Sequence, residues 1–195
     1  LPDGKFLPPM EMNCVEVEAK QKIEKAFPTR KMIIGRCANL TEPTKEHLEL
    51  GRGRCQYRNE CEKGCSFGAS FSSLSATLPA AQRTNNLTTV TDAIVHSVTY
   101  DNVSKRATGV KIIDAKTKDY RQYFGRIIFL CASTLGSTQI MLNSISESFP
   151  NGIANSSGTL GHHLMDHIFM SGASGEHPGF QKNYYSGRRP NGIYV

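Results

Sequence analysis

Residues 127–144 read Ile127-Ile128-Phe129-Leu130-Cys131-Ala132-Ser133-Thr134-Leu135-Gly136-Ser137-Thr138-Gln139-Ile140-Met141-Leu142-Asn143-Ser144. The run from Ile127 to Ala132 carries no charge and no proline, the pattern of a buried strand. Ser133 opens the next segment, and the apolar side chains Leu135, Ile140, Met141 and Leu142 predict a helix from about Leu135 to Ser144. Strand, small-residue turn and helix in that order let a backbone approach a nucleotide closely. The same arrangement is also a common structural joint.

Upstream of this stretch the pattern is that of a β-meander. Leu87–Val90 and Ala93–Tyr100 are strand-like, the polar turn Asp101–Arg106 follows, and then come Gly109–Ala115, the turn Lys116–Asp119 and Tyr120–Leu130. A short helix is predicted over Leu78–Arg83, with Pro79 acceptable in its first turn. Earlier still, Val15, Ala19, Ile23 and Ala26 or Phe27 recur at helical spacing from Cys14 to Phe27, and Pro28 ends that helix. Arg30–Arg36 reads as a strand. Residues 1–13 form an extended, proline-rich lead-in, and residues 38–72 a long irregular segment of the kind that usually holds a ligand or is held by one.

Downstream, residues 145–195 are rich in Gly and Asn, with a helical turn expected over Leu160–His167 and a strand over Ile168–Ala173. The fold class that follows is α+β: an antiparallel meander with adjoining helices. No internal repeat or low-complexity tract interrupts it.

The 195 residues, 38% hydrophobic and 21% charged, are enough for a domain with its own core. The Ile127–Ala132 run is far short of the roughly 20 apolar residues that span a bilayer, so no transmembrane segment is expected. A net charge of +6, from 23 Lys and Arg against 17 Asp and Glu, is scattered rather than gathered into a stripe interleaved with aromatics. That distribution argues against nucleic acid as a partner. The opening residues Leu1-Pro2-Asp3-Gly4-Lys5-Phe6 lack a signal-peptide core, the chain does not begin with Met, and it stops at Tyr194-Val195 without a terminal signal. A segment from within a larger protein is expected to look this way.

Three stretches together resemble the glucose-methanol-choline (GMC) oxidoreductases. Ser133–Ser144 is similar to the family's second signature, Gly-Ala-x-x-Ser-Pro-x-Leu-Leu-x-x-Ser after a buried strand, with Ser133 in place of the glycine, Thr138 in place of the proline and Ile145 in place of the glycine after the last serine. Leu160-Gly161-His162-His163-Leu164-Met165-Asp166-His167 is similar to its Val-Gly-x-Asn-Leu-x-Asp-His element. The meander ending in Lys105-Arg106-Ala107-Thr108-Gly109-Val110 resembles the strand pair that follows its adenine-contacting strand.

The resemblance implies part of an α/β FAD-binding fold over residues 75–152 and the start of a substrate-binding domain over 153–195, preceded over 1–74 by an irregular segment with one helix, one strand and a Cys-rich loop. It implies FAD as cofactor, with Val95 in the strand Thr91–Val98 offering backbone groups to the adenine and Ala132 and Ser133 lying beside the adenosine. The substrate it implies is a small-molecule alcohol or sugar. The family's Gly-x-Gly-x-x-Gly phosphate loop does not occur in this chain, and its catalytic histidine pair is expected further along the full-length protein. No catalytic residue is therefore assigned here, and this segment alone is expected to be inactive.

Among six cysteines, Cys55, Cys61 and Cys65 form the one organised group, Cys55-x5-Cys61-x3-Cys65 in a Gly-bearing loop. Thiolates at this density suit a soft metal centre, iron–sulfur or zinc with His47 as the nearest fourth ligand. A Cys55–Cys61 or Cys61–Cys65 disulfide, or three reduced thiols, are equally compatible with the residues. The spacing is similar to that of the bacterial sugar and gluconate dehydrogenase large subunits of the same family. That likeness implies a three-iron, four-sulfur cluster passing electrons to a cytochrome or other electron-acceptor subunit. Cys131, in its apolar run, is expected to be a packed thiol.

Two rival classes remain: a stand-alone iron–sulfur or metal-binding electron-transfer module on residues 52–69, and a disulfide-stabilised extracellular binding domain. His162, His163, Asp166 and His167 are expected to make structural hydrogen bonds rather than to bind metal. Asn39, Asn86, Asn102 and Asn155 head glycosylation-type triplets of the kind that occur by chance. Gly51-Arg52-Gly53-Arg54 is too short for a phosphate loop and reads as a solvated loop.

Overall fold

A computed structural model describes residues 4–58, 60–167, 171–176, 178–179 and 189–195. Its elements are α1 (Cys14–Ala26), β1 (Ile33–Ile34), α2 (Lys45–Glu49), a single 3-10 turn at Cys61–Lys63, a π-helical turn at Ser73–Thr77, α3 (Leu78–Arg83), β2 (Ala93–Asp101), β3 (Arg106–Asp114), β4 (Tyr120–Phe124), α4 (Ser133–Asn143) and β5 (Ile193–Tyr194). The class is α+β, as expected. The chain divides into two compact units, one of residues 1–87 with 173–195 and one of residues 88–172. No helix among the described residues is long and apolar enough to cross a membrane.

In the first unit, α1 starts where the Asn13 side chain accepts the Glu16 N–H and Glu16 returns a carboxylate oxygen to the Asn13 N–H at 2.8 Å, a reciprocal cap. The strand expected over Arg30–Arg36 is confined to Ile33–Ile34, where its partner among the described residues is the equally short β5 (Ile33 opposite Tyr194, Ile34 opposite Ile193). Arg189 fixes the same terminal segment by a bidentate ion pair to Glu16. The core gathers Met10, Leu40, Cys55 and Ala69, with Leu7, Tyr57 and Cys65 packed on it. Most of that core comes from the segment 38–72, which has little regular structure and is held by cross-loop backbone bonds: Leu40 N–H to Ala69 O, Cys55 N–H to Leu40 O and Gly53 N–H to Phe67 O.

The second unit is the meander β2-β3-β4, antiparallel throughout. Both hairpin turns are built by an aspartate that accepts from the backbone ahead of it. Asp101 takes the Val103 and Ser104 N–H groups, and Asp114 those of Lys116 and Thr117. Gly109 sits opposite Phe124, and a Cβ there would collide with the Tyr123 carbonyl. Helix α4 packs on β2, where the Ser144 hydroxyl accepts the Val98 N–H at 2.8 Å and donates to the Ile140 carbonyl at 2.6 Å.

Several expected elements take a different form. Leu87–Val90 joins no sheet. The strand expected over Tyr120–Leu130 stops at Phe124, and after the Gly125 N–H bonds to Thr108 O the chain bends away. The apolar run is not buried: Ile127 is 72% and Phe129 81% exposed, and Cys131 is exposed as well. An uncharged run of this kind becomes a central strand only when neighbouring strands pair with it, and among the described residues none does. Over Leu160–His167 only a turn at Leu160–Gly161 forms. The strand expected over Ile168–Ala173 falls partly outside the described residues, and 171–173 carry no regular structure.

Candidate functional site

Two groups of predicted residues lie in different units and are described separately. In the second unit, Val95 is half-buried in β2, and the β2–β3 register shifts between Val95 and Ser97. Ala132 occupies the position before α4, and Ser133 begins the helix with a left-handed backbone, φ 63°. Both residues are exposed. Among the described residues no side chain caps the start of α4, and its first N–H groups have no acceptor within the helix. Gly136 keeps that turn narrow, since a Cβ there would lie 3.2 Å from the Ala132 Cβ. An eleven-residue helix with an uncapped, accessible N-terminus and small residues around it suits the oxygen-rich adenosine side of a dinucleotide.

In the first unit, Cys55, Cys61 and Cys65 border one small recess together with Arg58, Tyr57 and Phe67. Cys55 is buried and the other two are partly exposed. Burial pushes the Cys65 thiol up, but hydrogen bonds from the Ser70, Phe67 and Ala69 N–H groups and the nearby Arg58 guanidinium outweigh it and leave the thiol below its ordinary value. All six cysteines are free, so neither candidate disulfide is formed. Among the described residues no three His, Cys, Asp or Glu side chains are arranged to hold a metal ion. The three thiols thus share a recess without forming a ligand set. His47 is engaged elsewhere, its Nδ1 bound to the Thr44 backbone and hydroxyl at the start of α2.

The solvated loop expected at Gly51–Arg54 is overturned at Arg52. This arginine is 6% exposed and donates to the Gly68 and Ala69 carbonyls. Only the fold brings residues 68 and 69 to it, and Gly51 and Gly68, both at positive φ, let the two loop strands meet. The His162 and His163 rings lie 6.2 Å apart in exposed positions. The structural hydrogen bonding expected of that cluster reduces, among the described side chains, to Asp166 accepting the His167 N–H.

A family model described as GMC oxidoreductase matches residues 3–169. The chain is 36% identical over 69 residues, 35% of its length, to 2-methyl-1,2-propanediol dehydrogenase of Mycolicibacterium austroafricanum, where the match covers 12% of the relative. It is 27% identical over 128 residues, 65% of its length, to the fructose dehydrogenase large subunit of Gluconobacter japonicus, where the match covers 23%. The chain thus spans less than a quarter of the length of either of these curated relatives.

Proposed function

Because the chain belongs to the GMC oxidoreductase family, we propose that it is an internal segment of an FAD-dependent dehydrogenase that oxidises the hydroxyl of an alcohol or sugar. The observation that carries this reading is the accessible, uncapped start of α4 at Ala132 and Ser133, packed beside the strand that holds Val95. Two relatives named as dehydrogenases support the reaction class.

In this reading Val95 presents backbone groups to the adenine, and Ala132 and Ser133 lie against the adenosine. Small side chains at 132 and 133 leave room for the nucleotide, and the α4 dipole favours its negative charge. When bound, the flavin supplies the hydride acceptor. The role of this chain is then to bind and orient the nucleotide half of the cofactor. The phosphate-binding loop and the catalytic histidines are assigned to other parts of the parent protein, residues 75–152 to its FAD-binding domain and 153–195 to the start of its substrate domain.

The three-cysteine recess carries a second part of the proposal. We propose that Cys55, Cys61 and Cys65 would hold a three-iron, four-sulfur cluster, which would supply electron transfer to a cytochrome or other acceptor subunit; their common recess and the N–H donors around Cys65 support this. A relative named as a large subunit is in keeping with such a partner. The thiols as they stand share that recess without forming a ligand set among the described residues.

The test is the full-length parent purified without oxygen. A flavin spectrum that bleaches on addition of an alcohol or sugar supports the first part; a protein without flavin, or flanking sequence without a Gly-x-Gly-x-x-Gly loop, overturns it, and bound metal in such a protein favours the stand-alone module. Iron and acid-labile sulfide analysis of the same sample decides the second part, which absence of both would sink.

A further inference from the structure

A cavity of about 420 Å³ opens in the first unit, a size that accommodates a small organic ligand. Its charged border has one sign: Lys5, Arg36 and Arg52 line it, and no Asp or Glu does among the described residues. Arg52 is the informative member. Its guanidinium is almost wholly removed from water, yet its hydrogen bonds go to two neutral carbonyls, Nε to Gly68 O at 2.9 Å and Nη2 to Ala69 O at 3.4 Å. Among the described residues it forms no ion pair. A buried guanidinium without a counter-charge is a rare and costly arrangement, and its planar fork fits an oxyanion.

Two orphaned acceptors border the same cavity. Asn39 Oδ1 and Asn191 Oδ1 are buried and have no hydrogen-bond partner among the described residues. Asn191 is held in place at its other end, where Nδ2 donates to the Gly35 carbonyl. An unsatisfied buried acceptor calls for a donor from whatever fills the space. The remaining wall is apolar, with Met10, Leu40, Phe6 and Phe71 on it, and the Arg36 guanidinium lies 4.4 Å over the Phe6 ring.

We propose that this cavity binds an amphipathic organic acid: a carboxylate for Arg52, an apolar or aromatic body for the Phe6, Phe71 and Met10 wall, and an O–H or N–H donor for Asn39 and Asn191. The site lies within the first unit and does not depend on the flavin reading, and its test uses the full-length parent. The probe is 4-hydroxyphenylacetate, titrated into the full-length parent labelled with 15N at arginine and asparagine while the Arg52 Nε–H and the Asn39 and Asn191 side-chain amides are followed by NMR. The neutral analogue 2-(4-hydroxyphenyl)ethanol and inorganic phosphate are run beside it. Substituting Arg52 itself endangers the loop it braces, so the variant is Lys5→Gln with Arg36→Gln, both at exposed positions. The expected result is saturable shifts at all three side chains, about tenfold or greater weakening for the neutral analogue, and about threefold weakening with a flatter salt dependence in the variant. Equal binding of the neutral analogue, tighter binding of phosphate than of the organic acid, shifts that map elsewhere, or no saturable shift would each overturn it.

Discussion

The Ser144 hydroxyl accepts the Val98 N–H at 2.8 Å across 46 residues of sequence while donating to the Ile140 carbonyl at 2.6 Å. Ser144 is 4% exposed, so this one hydroxyl satisfies a buried strand donor and a buried helix carbonyl together. Replacing it by alanine leaves both without a partner, at a cost of about 1–3 kcal/mol. Ser144→Ala is therefore expected to lower the urea midpoint of unfolding without changing its slope and to speed hydrogen exchange at Val98. Unchanged exchange there would mean that the bond contributes nothing.

Gly109 tests the meander from the other side. With the β4 backbone where a Cβ would stand, Gly109→Ala must part β3 from β4, at a cost of about 1–3 kcal/mol. Thermal melts are expected to show the loss, whereas the same change at Gly172, which has open space around it, leaves the melting temperature almost unmoved.

The hairpin turns predict a pH dependence. Side-chain and backbone hydrogen bonds from Ser104, then the Val103 N–H, lower the Asp101 pKa; the Thr117 and Lys116 N–H groups lower that of Asp114. A carboxylate depressed in the folded state contributes stability that is fully present above the unfolded value and is lost as pH falls through the folded one. Unfolding midpoints are accordingly expected to hold steady down to about pH 4 and to fall below it. Asp101→Asn with Asp114→Asn flattens that limb; an unaltered acid limb would contradict the assignment.

Arg189 and Glu16 make a prediction for the first unit. The arginine side chain is 4% exposed and the glutamate 20%, so removing the cation strands a mostly buried carboxylate. Arg189→Met is expected to destabilise by about 3 kcal/mol, measured by denaturant unfolding, and Glu16→Gln in the same background recovers part of it. A larger loss in the double variant than in the single one would be inconsistent with an ion-pair origin.

Local chemistry was legible in the sequence and distant partnership was not. The end of α1, the span of α3 and the place of the first hairpin turn follow from Pro28, Pro79 and Asp101, each acting on its own neighbours. The Ile127–Ala132 run reads as a buried strand because composition reports the preference to be buried, and burial waits on strands that must come from elsewhere. Arg52 reads as solvated because the Gly68 and Ala69 carbonyls that receive it lie 16 and 17 residues on. The Arg189–Glu16 pair spans 173 residues and leaves no local trace. For the candidate cofactor site, the residue types at 132, 133 and 136 were visible in advance; the left-handed backbone of Ser133 and the missing cap of α4 were not.

The most direct test of the central claim, that the start of α4 holds the nucleotide half of FAD, is the flavin content of the full-length parent with and without Ala132→Glu. Ala132 is exposed, so the variant is expected to keep the unfolding midpoint of the parent, while a bulky anion at the helix N-terminus competes with the cofactor. Flavin released on denaturation should fall from near stoichiometric to a small fraction. Full retention of FAD by a correctly folded Ala132→Glu protein would contradict the account.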